Sequence, residues 1–302
     1  MITLPEAFEQ EMKQLLGEEE YEAYRKTFDE AVHRGLRVNN GKISTEEFLR
    51  RTDIPLKKVP WIPNGFYYDE ESCNPAKDAD YYAGLYYLQE PSAMTPASRL
   101  PIEPDDRVLD LCAAPGGKAT ELGSRIGEGG MLLANDISNS RAKALLRNLE
   151  IQGVGRLLVT SEDPEKLVTL YPAFFDKILL DAPCSGEGMF RKESSMLRYY
   201  SENGPEHYVP IQKKLIEQAY QMLAEGGELL YSTCTFSVKE NEEVIAGLLD
   251  AHPDMEVQEI TPGYEGFAPG VSVNGRDLSR CVHIFPQLSL IHISEPTRQE
   301  AI

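Results

Sequence analysis

The stretch that decides the fold is VLDLCAAPGGKAT, which runs from Val108 to Thr120. Its apolar beginning predicts a parallel strand that is covered on both faces. The proline and glycines that follow interrupt this run, and the last residues predict the start of a helix. Glycine in such a turn permits a positive φ and lets a ligand approach the backbone closely. Because open α/β sheets bind ligands beyond the carboxyl ends of their strands, we expect a binding crevice at this turn.

A second predicted strand, MLLANDIS, ends in Asp136, which lies 20 positions after Gly116. An acid at this distance can accept hydrogen bonds from ribose hydroxyls. The turn has neither the G-x-G-x-x-G fingerprint nor the spacing of a phosphate loop, so nothing in it suits a pyrophosphate. The pattern therefore favours a nucleoside-containing cofactor, and S-adenosylmethionine over NAD.

Downstream of the turn, predicted strands alternate with predicted helices, which is typical of a doubly wound parallel sheet. One of these helices is expected to close at Gly226 and Gly227. The next is expected to open with a capping box formed by Ser237 and Glu240.

The chain ahead of the turn predicts a small α+β unit. Residues 1–35 have the spacing of two amphipathic helices, with Gly17 and Gly35 where C-caps belong. Short strands follow, together with a helix that begins at Ser44 or Thr45.

The composition is typical of a soluble globular protein, and the chain has 302 residues and a formal net charge of −19 at pH 7. No run of 18 apolar residues and no signal pattern occurs, so we expect a cytoplasmic protein without a membrane span. The negative charge argues against RNA binding by the whole surface and leaves a local basic groove open. We expect a monomer that holds no metal ion.

The five cysteines are odd in number and widely spaced, and none forms a C-x-x-C pair. This pattern supports neither a disulfide framework nor a zinc site, so reduced thiols are expected. They are Cys73, Cys112, Cys184, Cys234 and Cys281.

Two of these thiols come directly after neighbouring predicted strands. KILLDAPCSGEG places Asp181 and Cys184 past the fourth strand, and ELLYSTCTF places Cys234 past the fifth. Cysteine often serves as a small buried hydrophobe, which suits Cys112 inside its strand better than these two in polar turns. Both strand ends are expected to open onto the cofactor crevice.

A thiol beside a methyl donor indicates methylation of a pyrimidine at carbon 5. Thiolate addition to carbon 6 makes carbon 5 nucleophilic, and a carboxyl group can hydrogen-bond the edge of the base. Asp181 suits that contact, and the two cysteines could divide attack and release. The residues alone do not decide which thiol attacks.

The motifs CAAPGGK, LLDAPCSGEG and YSTCTF resemble those of the NOL/NOP/Sun family of RNA cytosine-5 methyltransferases. The segments LPEAF, GLRVN, VPW, GFYY and LYYLQEPSAM resemble its bacterial RsmF-type branch, which acts on ribosomal RNA. The resemblance extends to about Pro286. It implies a Rossmann-like class I methyltransferase sheet preceded by a small α+β domain.

The resemblance also implies a division of the chain into domains. Residues 1–95 would form an N-terminal RNA-recognition domain and linker, and residues 96–286 the methyltransferase domain. Residues 287–302 are expected to be a non-native tail, because LSLIHISEPTRQEAI resembles translated sequencing-adapter sequence. A truncated gene model would leave strand edges of the sheet unpaired.

For the site, the resemblance implies S-adenosylmethionine as cofactor and RNA, in particular ribosomal RNA, as substrate. Cys234 would be the nucleophile, Cys184 would assist product release, and Asp181 would face both cofactor and base. Asp136 would hold the ribose with Arg141 near it, and Asp163 would lie by the adenine. The methionine and ribose part would be lined by Cys112, Ala113, Ala114, Pro115, Gly116, Gly117 and Lys118.

Four other functions remain open from the sequence. A transfer RNA cytosine-5 methyltransferase would use the same motifs, and a non-catalytic RNA-binding assembly factor would not need Cys234. Amino-group methylation usually shows a [DN]-P-P-[YF] tip, where this chain has Asp-Ala-Pro-Cys. A nicotinamide-dependent oxidoreductase is disfavoured by the missing dinucleotide fingerprint.

Overall fold

The computed structural model describes residues 3–193 and 195–289. These residues form two compact units, each taken by itself below. One contains His33–Cys184 and His207–Cys234, and the other contains residues 3–32, 185–206 without 194, and 235–289. Residues 290–302 of the expected tail lie outside the described residues. The domain boundaries at 95/96 and 286/287 stay predictions.

The helices and strands alternate along much of the chain. The described α-helices, in chain order, are α1 (Glu6–Leu16), α2 (Glu18–Lys26), α3 (Thr45–Arg51), α4 (Ala79–Tyr82), α5 (Thr95–Arg99), α6 (Gly117–Arg125), α7 (Asn139–Gln152), α8 (Pro164–Leu170), α9 (Ser195–Glu202), α10 (Pro205–Met222), α11 (Glu242–Ala251) and α12 (Pro286–Ser289). The described strands are β1 (Arg34–Val38), β2 (Leu56–Lys58), β3 (Gly65–Tyr68), β4 (Tyr86–Leu88), β5 (Arg107–Asp110), β6 (Met131–Asn135), β7 (Leu157–Thr160), β8 (Phe175–Asp181), β9 (Leu223–Ser232), β10 (Ala268–Pro269) and β11 (Val282–His283).

A five-stranded parallel sheet in the order β7-β6-β5-β8-β9 forms the centre of the first unit. This confirms the predicted doubly wound α/β fold, because α6, α7, α8 and α10 connect successive strands. The apolar strand residues and the inner faces of the helices form one core, since each helix buries its apolar stripe on the sheet. That core includes Val108, Leu122, Leu132, Leu145, Leu149 and Leu179.

A second, antiparallel sheet in the order β2-β3-β1-β4 belongs to the same unit. It confirms the short strands predicted ahead of the turn. Ser44 caps α3 as predicted, because its hydroxyl accepts a hydrogen bond from the Glu47 amide at 3.1 Å. The sheet has its own core, which includes Leu36, Val38, Phe48, Phe66 and Tyr86.

The other unit is mainly helical and has an aromatic core. Gly17, with φ +79°, ends α1 and begins α2 as the sequence predicts. The rings of Phe8 and Phe190 pack edge to face at 5.0 Å, an arrangement that aromatic pairs favour. The buried core residues around them include Met12, Tyr21, Tyr24, Tyr200, Phe236 and Phe285.

Gly35 does not cap a helix, which corrects the prediction from spacing. The second helix ends at Lys26, and Gly35 lies within β1. A Cβ at this position would lie 2.6 Å from the Gln89 carbonyl oxygen, so glycine permits close approach of the chain after β4.

Two further predicted helix ends are wrong. Helix α10 ends at Met222 rather than at Gly226 and Gly227, because Leu223 already pairs with Phe175 of β8. Helix α11 begins at Glu242 after Asn241, with no side-chain cap. None of the described helices is long and apolar enough to cross a membrane.

Candidate active site

The glycine turn lies between β5 and α6 and is pinned by its neighbours in the parallel sheet. The amide of Leu111 donates to the Leu179 carbonyl at 3.0 Å, and the amide of Ala113 donates to the Asn135 carbonyl at 2.8 Å. Gly116 precedes α6 with φ +112°, a conformation that other residues rarely adopt. The turn therefore opens at the carboxyl edge of the sheet, as the sequence predicts.

Asp110, the last residue of β5, carries a fully buried carboxyl group that sequence reasoning missed. Neither of its carboxylate oxygens has a hydrogen-bond partner among the described residues. Burial raises the pKa of Asp110 to about 8, with the nearby charge of Asp181 acting in the same direction and Lys118 opposing it. A carboxyl group without a partner at the end of a buried strand marks a place where a ligand can bind.

This carboxyl group makes stability depend on pH. Between the ordinary Asp pKa of 3.8 and about 8, Asp110 holds its proton in the folded state and loses it on unfolding. We therefore expect the free energy of unfolding to fall as pH rises through this window, by up to about 1.4 kcal/mol per pH unit.

Urea unfolding of the ligand-free protein and of Asp110→Asn at pH 5, 6, 7 and 8 measures this contribution. The variant should show a flatter pH dependence, because its amide does not titrate. Glu187, whose pKa burial raises to about 7, is present in both proteins and cancels in the comparison. Parallel pH profiles for the two proteins would contradict the prediction.

Asp136 and Arg141 meet at the carboxyl end of β6. The Asp136 side chain is almost fully buried and accepts a hydrogen bond from the Ser138 amide at 2.9 Å. Arg141 Nη2 lies 3.3 Å from Asp136 Oδ2 and donates to the Ala114 carbonyl at 2.8 Å. The guanidinium thus links the acid to the glycine turn.

Asp163 lies in the loop after β7 and is exposed. Its carboxylate caps α8 by accepting a hydrogen bond from the Glu165 amide at 2.9 Å. The loop is held against the end of β6 by Asn135, whose side chain accepts from the Glu162 amide at 3.0 Å and donates to the Glu162 carbonyl at 3.1 Å. Asn135 was not singled out from the sequence.

Ile137, directly after Asp136, is 69% exposed. It provides an apolar surface beside the acid. Sequence reasoning missed this residue as well, because a single isoleucine after a strand carries no pattern.

Asp181 forms a polar network at the end of β8. Its carboxylate lies 2.6 Å from Lys118 Nζ and accepts a hydrogen bond from the Ser232 hydroxyl at 2.8 Å. Although burial alone would lower the pKa of Lys118, the charge and hydrogen bond of Asp181 raise it above its ordinary value.

Cys184 and Cys234 are brought together, as the strand order predicts. Their sulfur atoms lie 3.1 Å apart, and the Cys234 amide donates to Cys184 Sγ at 3.3 Å. Neither is in a disulfide; Cys234 is exposed and Cys184 is half-buried. Burial and three neighbouring carboxylates raise the pKa of Cys112 far above its ordinary range, which disfavours this third thiol as a nucleophile.

Two family models match this chain. The model of the 16S rRNA methyltransferase RsmB/F family matches residues 97–289, and the model of the N-terminal domain of 16S rRNA methyltransferase RsmF matches residues 4–91. The chain belongs to the RsmB/F family. This confirms the resemblance that the sequence motifs indicated.

Curated relatives of this RsmB/F chain carry the name ribosomal RNA small subunit methyltransferase F. The protein from Erwinia tasmaniensis is 36% identical, and that from Escherichia coli O157:H7 is 33% identical, each over 95% of this chain. The chain spans 61% of the length of both relatives.

Solved structures are similar over most of the RsmB/F chain. A methyltransferase homologue from Pyrococcus horikoshii is 29% identical with a TM-score of 0.74, over 93% of this chain and 86% of that chain. NSun6 from the same organism, solved with SFG, has a TM-score of 0.79 at 22% identity over 94% of each chain, which supports the shared fold.

In the other unit, Ser185 and Thr235 directly follow the two cysteines in the sequence. Their hydroxyl oxygens lie 3.0 Å apart, and the Ser185 amide donates to Glu240 Oε1 at 2.9 Å. Ser237 donates to Glu11 Oε1 at 2.7 Å. The predicted capping box of Ser237 and Glu240 is therefore replaced by long-range hydrogen bonds.

Proposed function

We propose that this chain is an S-adenosylmethionine-dependent RNA methyltransferase that modifies carbon 5 of a cytosine in small-subunit ribosomal RNA. The observation that carries this proposal is the pair of cysteines, whose sulfur atoms lie 3.1 Å apart, beside the Asp181–Lys118 ion pair. Methylation of an exocyclic amino group would need no thiol. The names of the curated relatives support ribosomal RNA, found in the cytoplasm, as the substrate.

The residues of the turn fit the proposed cofactor. S-adenosylmethionine, when bound, supplies an electrophilic methyl group on a positively charged sulfur. Its ammonium group suits the buried oxygens of Asp110, which have no partner among the described residues, and its ribose hydroxyls suit Asp136. Ile137 would pack against the adenine, with Asp163 nearby. SFG, with which the NSun6 structure was solved, is an analogue of this cofactor.

The methionine part of the cofactor is assigned to the turn itself. Gly116 gives the turn its left-handed conformation, with φ +112°, and Arg141 fixes the Ala114 carbonyl and the Asp136 carboxylate together. The proposed lining consists of Cys112, Ala113, Ala114, Pro115, Gly116, Gly117 and Lys118.

Cys234 is assigned as the nucleophile, on the family resemblance and because its side chain is the more exposed of the two. Its thiolate adds to carbon 6 of the cytosine, which places electron density on carbon 5 for methyl transfer. Asp181 hydrogen-bonds the N3/N4 edge of the base and stabilises the developing charge. Loss of the carbon 5 proton then re-forms the carbon 5–carbon 6 double bond and expels the thiolate, with Cys184 assisting this release.

The direct test incubates the protein with labelled S-adenosylmethionine and, in separate reactions, unmodified small-subunit ribosomal RNA or unmodified transfer RNA, and then digests each RNA to nucleosides. We expect the label in 5-methylcytidine. Label in N4-methylcytidine or N6-methyladenosine would contradict the proposed chemistry. Label in transfer RNA only would support the cytosine chemistry and contradict the ribosomal substrate.

A further inference from the structure

Arg37 of β1 is a fully buried arginine whose guanidinium grips the first turn of α6. Nη1 donates to the Gly117 carbonyl at 2.7 Å, and Nη2 donates to the Thr120 hydroxyl at 2.8 Å. Nε lies 2.9 Å from Glu121 Oε2, and the two side chains are only 3% and 9% exposed. The guanidinium thus binds positions i, i+3 and i+4 of one helix, which lie on one face.

Burial lowers the pKa of Arg37, and the charge of Glu121 opposes this effect. A buried guanidinium with a carboxylate partner and further acceptors is costly to disturb, because each partner would be left unsatisfied. The arrangement therefore fixes the position of α6 relative to the antiparallel sheet.

The same sheet also packs directly on the glycine turn. A Cβ on Gly117 would lie 2.9 Å from Gln89 Nε2 and 3.3 Å from the ring of Tyr87. Gly117 has no positive φ and is the first residue of α6. A side chain at Gly117 would displace the Gln89 side chain after β4, whereas Gly116 is required by its backbone conformation.

We propose that Arg37 is a positioning residue for the cofactor turn, so that the antiparallel sheet sets the shape of the methionine subsite. This inference rests on the proposed function, because it takes the turn to be the S-adenosylmethionine site. Arg37 fixes the Gly117 carbonyl, and the adjacent Lys118 points its ammonium group to Asp181. A shift of this first turn would move both the backbone under the cofactor and the Lys118 side chain.

If Arg37 only held the antiparallel sheet in place, other contacts of that sheet would serve the same purpose. Asn39, directly after β1, donates to the carbonyls of Gly84 at 2.9 Å and Gln152 at 2.8 Å, far along the chain from the turn. The sheet therefore keeps a connection to α7 when the Arg37 contacts are lost. Loss of the Arg37 contacts is therefore expected to shift the turn without unfolding the unit.

The test compares wild type, Arg37→Lys and Arg99→Lys by calorimetric titration and thermal unfolding. Lysine keeps a charge opposite Glu121 and cannot reach all the acceptors of the guanidinium. Arg99 is a matched buried arginine, 6% exposed, whose Nη2 donates to the Trp61 carbonyl at 2.6 Å. Each protein is titrated with S-adenosylmethionine and with 5′-methylthioadenosine, which lacks the amino-acid part.

We expect Arg37→Lys to raise the Kd for S-adenosylmethionine by about tenfold and that for 5′-methylthioadenosine by less than about twofold. Arg99→Lys should leave the ratio of the two Kd values unchanged. If Arg37→Lys does not fold, Thr120→Val takes its place, because it removes one acceptor and keeps the side-chain shape. For Thr120→Val we expect a smaller rise than for Arg37→Lys in the ratio of the Kd for S-adenosylmethionine to the Kd for 5′-methylthioadenosine.

An unchanged ratio in a folded Arg37 or Thr120 variant would overturn this inference and leave the proposed function intact. Equal weakening of both ligands together with a lower Tm would assign Arg37 a structural role only and would also overturn it. If wild type binds no S-adenosylmethionine, the proposed function fails first, and the inference fails with it.

Discussion

Replacing Cys234 with alanine is expected to abolish methyl transfer, with a loss on the order of 10³-fold or more, as for other enzymes that lose their nucleophile. Carbon 5 of cytosine does not attack a methyl group without prior addition of a nucleophile at carbon 6. Cys234 is the one residue to which the proposed mechanism assigns that addition. The affinity for S-adenosylmethionine should change by less than about twofold, since the lost atom is a single exposed sulfur. Single-turnover assays with labelled cofactor measure the first quantity and calorimetry the second.

Cys184→Ala should behave differently although its sulfur lies 3.1 Å from that of Cys234. If Cys184 assists release, its loss leaves the RNA attached to Cys234 after methyl transfer. We expect a protein–RNA adduct that survives a denaturing gel and that contains one methyl group. The double variant should form no adduct, because the attacking thiol is gone.

Cys73→Ala provides the control for both variants. Cys73 is a free thiol of the same unit, its Sγ donates to the Asp69 carbonyl at 3.2 Å, and it is not among the proposed site residues. This variant should retain full activity. If instead Cys234→Ala forms the adduct and Cys184→Ala is inactive, Cys184 is the nucleophile and Cys234 assists release. Methyl transfer in Cys234→Ala would exclude the thiol mechanism and revive amino-group methylation.

The parallel sheet and the meeting of the two thiols could be predicted because both depend on local pattern. Apolar runs that end in Asp136, Asp181 or Ser232 mark strands, and their polar ends must share one edge of a parallel sheet. The turn conformation of Gly116 follows from the same reasoning. The choice of Cys234 as nucleophile required the family resemblance, because both cysteines follow directly after a predicted strand and their positions do not distinguish them.

What the sequence missed depends on partners that lie far along the chain. Ser237 and Glu240 match a capping box locally, yet their side chains bond Glu11 and Ser185, which lie 226 and 55 positions away. Gly35 has the position of a C-cap, but the Gln89 carbonyl decides its role. Asp110 lies within an apolar strand, and the residues adjacent to it in the sequence do not show whether its buried carboxyl group is hydrogen-bonded.

Asp181→Asn is expected to lower methyl transfer by about 10²–10³-fold, the size of effect seen when one preorganised electrostatic partner of a reacting group is removed. The amide keeps the shape of the side chain and can still accept the hydrogen bond of Ser232. It removes the negative charge beside Lys118, whose ammonium group lies 2.6 Å away. Because Asp181 is what holds the pKa of Lys118 up against burial, that pKa should fall in the variant.

The matched control is Asp176→Asn, at the other end of the same strand. Asp176 accepts hydrogen bonds from the Arg107 side chain at 2.7 and 2.9 Å, so both substitutions remove the charge of an ion-paired aspartate in β8. Asp176 lies at the amino end of β8, whereas Asp181 ends the strand at the carboxyl edge, where ligands bind. We expect Asp176→Asn to lower Tm and to leave the single-turnover rate of the folded protein within about twofold of wild type. Equal losses of rate in the two variants would show that the Asp181 effect is one of stability, and would remove Asp181 from the proposed mechanism.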